Sequence, residues 1–113
     1  MKEIAFEINA TELKKVLKKA LKDAEIGCYF IFKEDSIKVV SYEWWPADYE
    51  VYADVQANFP LWVEVLLVSI ENVKDLLNSL KQIKERYIKG KAVFDDDAGF
   101  IEIKDKKMFA YCM

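Results

Sequence analysis

Phe6-Glu7-Ile8-Asn9-Ala10-Thr11-Glu12-Leu13-Lys14 and Leu66-Leu67-Val68-Ser69-Ile70-Glu71-Asn72-Val73-Lys74 follow one pattern at an offset of about sixty residues. In each, a strand-like run ends at a side chain able to cap a helix, Asn9 or Ser69, and a helix opens behind it. Leu13, Val16, Leu17 and Ala20 fall in step with Val73, Leu76, Leu77 and Leu80. The likeness lies in pattern rather than in letters, so it speaks to fold first and function second.

Working outward, Asn9 and Glu12 have the spacing of a capping box, and Val16, Leu17, Ala20, Leu21 and Ala24 continue one apolar stripe towards Gly27. Cys28 to Phe32 and Ile37 to Tyr42 read as strands joined by the turn Lys33-Glu34-Asp35-Ser36. After a turn at Pro46-Ala47-Asp48, Tyr49 to Ala57 alternates as a third strand. Beyond Pro60 the order recurs. Trp62 to Val68 is a near-continuous apolar strand, and Val73, Leu76, Leu77, Leu80 and Ile83 stripe a second helix. Lys89 to Phe94, Gly99 to Lys104 and Met108 to Cys112 supply three more strands. The turns between them are Asp95-Asp96-Asp97-Ala98 and Asp105-Lys106-Lys107. The expectation is one α+β domain over 1–113, built from two strand-helix-three-strand units of about 1–59 and 60–113.

The bulk properties bound the function. With 53% apolar and 33% charged residues in 113, the chain can bury one core and is not disordered. A net charge of −3 argues against a surface that coats nucleic acid everywhere, but leaves room for a local basic face. Cys28 and Cys112 match no metal-ligand spacing and read as small hydrophobes. There is no His and no glycine-rich phosphate loop, so no enzymatic activity, cofactor or metal is expected. No charged leader precedes an apolar run, and the longest apolar stretch, around Val65 to Ser69, is too short to span a bilayer. A cytoplasmic protein with no membrane partner is the expectation.

The two strand-helix-three-strand units resemble one domain of the DNA sliding clamps, the family of the bacterial beta clamp and the proliferating-cell-nuclear-antigen type. The resemblance spans Glu3 to Cys112 and rests on element order. It implies a clamp-like homo-oligomer that surrounds duplex DNA, with replication or repair proteins as partners and Lys or Arg on the channel face of the helices. On the first helix, steps of about 100° place Lys14, Lys15, Lys18, Lys19 and Lys22 opposite the apolar stripe. The second helix is mixed there: Asp75, Asn78, Ser79 and Gln82 lie between Lys74 and Lys81. Familiar clamp subunits join two or three such domains in one chain. Here about six copies would be needed, with edge strands closing the ring.

Other residues open a different class of function. Trp44, Trp45 and Trp62 lie in an aromatic stretch near Pro46 and Pro60, and are candidate anchors for a partner protein. On that alternative reading the chain is a protein-interaction module that encircles nothing. Asp95-Asp96-Asp97 reads as a hairpin turn rather than a calcium loop, and Glu43, Asp48 and Glu50 as a solvated acidic loop.

Overall fold

The computed structural model describes residues 1–43 and 49–113. Trp44, Trp45 and the turn expected at Pro46-Ala47-Asp48 lie outside the described residues. β1 (Lys2–Asn9) runs directly into α1 (Ala10–Lys22), followed by β2 (Gly27–Phe32), β3 (Ser36–Ser41) and β4 (Glu50–Ala57). β5 (Glu64–Ser69) runs into α2 (Ile70–Leu80), followed by β6 (Tyr87–Phe94), β7 (Ala98–Ile103) and β8 (Lys106–Cys112).

Both helices start where a side chain takes over from the strand ladder. Asn9 is extended at φ −70° and ψ 120°, and its side-chain Oδ1 accepts from the Glu12 N–H at 3.0 Å. Ser69 does the same for the Asn72 N–H at 3.4 Å. The capping box is only half made, because the Glu12 carboxylate lies 3.5 Å from Lys15 Nζ instead of turning back to the cap. Both helices stop short of the ends expected from the stripe. Just past the end of α2 the bonds tighten, with the Ile83 N–H donating to the Leu80 carbonyl at 3.1 Å.

The sheet overturns the expected class. Its strands close in the order β1-β4-β3-β2-β5-β8-β7-β6, an eight-stranded antiparallel barrel, and the helices are only 13 and 11 residues long. The molecule is a mostly β closed barrel and not the expected clamp-like α+β domain, although each half keeps the order strand, helix, three strands. The four strands of each half stay contiguous, and the halves join at two seams, β1 with β6 and β2 with β5. Closure also removes the edges that ring assembly would need. Every strand has a hydrogen-bonded neighbour on each side, so edge-to-edge joining of copies has no free strand to use among the described residues.

One apolar cluster fills the inside. Ile4, Phe6 and Ile8 of β1, Phe30 and Phe32 of β2, and Ile101 and Ile103 of β7 point into it. Leu13, Val16, Leu17 and Ala20 of α1 join it, as do Val73, Leu76, Leu77 and Leu80 of α2. The helices therefore sit on the core side of the sheet and pack against each other. Each buried Leu contributes roughly 1.5–3 kcal/mol, far more than helix propensity supplies to segments this short. Ser36 and Ser41 are the buried polar residues among those described, and both hydroxyls donate to carboxylates, of Glu50 and Glu43 respectively.

No described helix is long and apolar enough to cross a membrane.

Candidate nucleic-acid interface

Because the apolar stripe of α1 faces the core, its remaining positions face outward. Lys15, Lys18, Lys19 and Lys22 are exposed and Lys14 is half-buried. From Lys14 to Lys22 the helix rises about 12 Å, the length over which duplex DNA carries about seven phosphate charges. Asn9 and the Glu12 carboxylate mark the N-terminal end of this face and Asp23 the other.

The electrostatics of the five lysines differ. Lys15 has an acidic partner in Glu12, an exposed pair worth well under 1 kcal/mol. Lys19 and Lys22 occupy the last turn, where cations suit the helix dipole. Lys14 and Lys18 have neither advantage. Lys18 lies four residues from both Lys14 and Lys22 and three from Lys15, spacings at which like charges repel. Among the described residues no carboxylate lies within 4.0 Å of Lys14, Lys18, Lys19 or Lys22.

On α2 and the two residues that follow it, Lys74 and Lys81 are exposed, with Glu71, Asp75, Asn78 and Gln82 among them. Asp75 lies 3.9 Å from Lys106 Nζ and its carbonyl accepts from the Ser79 hydroxyl at 3.0 Å. This face is electrically mixed, so the cationic surface belongs to α1.

Trp62 is 85% exposed beside a cavity of about 390 Å³ lined by Phe59, Pro60, Leu61, Val55 and Ala57. Trp44 and Trp45 cannot be added to it, since they fall outside the described residues.

The acidic groups are structural. Glu43 Oε1 accepts from the N–H of Glu25 at 3.1 Å and of Ile26 at 2.6 Å. Desolvation pushes its carboxyl up, but the Ser41 hydroxyl and those backbone N–H groups outweigh it and hold it below the ordinary range. Glu50 is lowered by the Ser36 hydroxyl and by Lys33 and Lys38. Both side chains are exposed, as expected of solvated acids, but each is also tied down by these hydrogen bonds, and Glu50 belongs to β4 rather than to a loop; Asp48 lies outside the described residues. Asp95 accepts from the Ala98 and Asp97 N–H groups at 3.0 and 2.9 Å, forming the β6–β7 turn, and its carboxyl is lowered by them. No group of side chains able to hold a metal occurs among the described residues. Cys28 and Cys112 are free thiols.

Two residues to which the sequence reading gave no weight, Phe109 and Tyr111 of β8, are 54% and 57% exposed on the outer wall of the barrel, their rings 4.8 Å apart edge to face. Their signal was faint: Met108-Phe109-Ala110-Tyr111 is apolar at both parities, so spacing does not say which pair faces out.

No protein-family model, no curated protein and no solved structure matches this chain.

Proposed function

We propose that this protein is a non-enzymatic, DNA-associated factor that holds duplex DNA through the lysine face of α1 without reading its sequence, as an accessory in replication or repair. The observation that carries the reading is the crowding of Lys14, Lys15, Lys18 and Lys22 around one side of a 13-residue helix. Most of them have no acidic partner among the described residues. Such crowding costs helix stability and is relieved by a polyanion. Lysines without a groove-inserting element contact phosphates, which positions a protein on DNA but does not specify bases. The test is a fluorescence-anisotropy titration of a labelled duplex with the protein and with a Lys15→Glu, Lys18→Glu, Lys22→Glu variant. Loss of binding with an unchanged thermal melt is expected. Unchanged DNA retention would remove the proposal.

The 85% exposure of Trp62 favours a second reading, a protein-interaction module that uses this ring as an anchor. Trp62→Ala would then abolish partner capture and leave duplex binding intact.

A further inference from the structure

The outer wall of the barrel is divided. On β1 and β4 the outward positions are Glu3, Ala5, Glu7 and Asn9, and Tyr52, Asp54 and Gln56, largely polar. On β5, β8 and β7 they are Val65 and Leu67, then Phe109 and Tyr111, then Phe100. The register sets these side by side, with Leu67 opposite Tyr111 and Phe100 opposite Phe109. A strand apolar at both parities, such as Val65-Leu66-Leu67-Val68, is the pattern of one buried on both faces. Here only its inner face is covered by the core.

We infer that the β5-β8-β7 wall, centred on Leu67, Phe109 and Tyr111, is a self-association surface that packs against the same wall of a second copy of this chain. Size supports it. An aromatic side chain buries about 150–250 Å², so Phe109 and Tyr111, a little over half exposed, offer on the order of 200 Å² between them. With Val65, Leu67 and Phe100 the wall reaches the several hundred Å² typical of interaction patches, and its rim extends it towards the ~800 Å² per partner of a standard interface. Charge supports it too. At the rim, Glu102 and Lys107 are cross-strand partners, with Lys107 Nζ 4.0 Å from the centre of the Phe100 ring. Glu102 also lies 3.9 Å from Lys91 Nζ, so the rim carries both signs and a second copy meets no wall of a single charge. Because α1 sits on the core side of the sheet, its lysines stay open to DNA in such a dimer. The inference therefore stands independently of the DNA reading.

Sedimentation velocity of the full chain over a wide concentration range tests it, with Phe109→Glu and Tyr111→Lys as interface variants and Tyr52→Lys, on the polar wall, as the control. The expected result is a concentration-dependent species of twice the 13.2 kDa chain mass, insensitive to salt and retained by Tyr52→Lys. The interface variants should weaken it on the order of 30-fold or more, with unchanged circular dichroism. Should either variant fail to fold, hydrogen exchange of the unaltered chain replaces it, and slowing confined to β5, β7 and β8 at high concentration is expected. A monomer at all concentrations overturns the inference. So does a dimer untouched by both substitutions, or flotation of a monomer with phosphatidylcholine vesicles through these residues.

Discussion

Glu43 fastens Ile26: the carboxylate that follows β3 accepts the Ile26 N–H at 2.6 Å and the Glu25 N–H at 3.1 Å, pinning the α1–β2 connection. Its other oxygen receives the buried Ser41 hydroxyl at 2.7 Å, so one side chain satisfies three donors. Glu43→Gln keeps the shape and removes the charge. A loss of about 1 kcal/mol is expected for so exposed a group, read from urea unfolding at neutral pH. The sign with pH follows from its lowered folded value. The stabilisation is full above the unfolded value near 4.5 and disappears as pH falls through the folded value. Glu50 and Asp95 titrate in the same sense, so the chain should lose stability on acidification, and Glu43→Gln should lose less than the parent.

The two caps should differ. Asn9 holds its N–H at 3.0 Å and Ser69 at 3.4 Å, so Asn9→Ala should cost about 1 kcal/mol and Ser69→Ala distinctly less. Chemical denaturation of the two variants measures the difference, and equal losses would mean that the distances do not set the capping strength.

Barrel closure across the β2–β5 seam depends on Gly27. A Cβ placed there would lie 2.3 Å from the Val68 carbonyl oxygen, an atom the ladder holds in place. Gly27→Ala should therefore destabilise by about 1–3 kcal/mol as the seam shifts, and amide exchange in β2 and β5 should rise more than in β6 and β7.

How much of this was legible in the sequence depends on range. Asn9, Ser69 and the stripes behind them announced both helices, because caps and 3.6-residue periods are written within one turn. The joining of β1 to β6 pairs Ile8 with Ile88, eighty residues apart, and no local period encodes such a register. Element order alone fitted an α+β arrangement as well as a closed barrel. The fastening role of Glu43 was hidden because two of its three donors are backbone N–H groups, which leave no trace in residue type. The α1 lysines were visible for the same reason as the stripe: they are its complement.

Cys28 tests the same core chemically. It is fully buried, and desolvation, with help from the Glu43 charge, pushes its thiol up to about 12. A maleimide at neutral pH should leave it untouched in the folded protein and label it only on unfolding. Cys112 is half-buried, with its thiol raised by burial and by Asp95, Glu64 and Asp97, and should react slowly but first. Rapid double labelling without denaturant would show that the β2 seam opens.

Salt separates the DNA reading from a purely structural use of lysine. If the α1 face neutralises phosphates, the logarithm of the binding constant should fall linearly with the logarithm of salt concentration, by about 0.9 per contact. Lys18 stands at the centre of the face with no acidic partner among the described residues. Lys18→Ala should therefore lower affinity and reduce the slope by about one contact, equally for duplexes of unrelated sequence. Lys74→Ala on the mixed face of α2 should change the slope far less. A solvated helix predicts the opposite pair of results: no change in slope for Lys18→Ala, and a slightly more stable helix, since a substitution there removes repulsion from Lys14, Lys15 and Lys22.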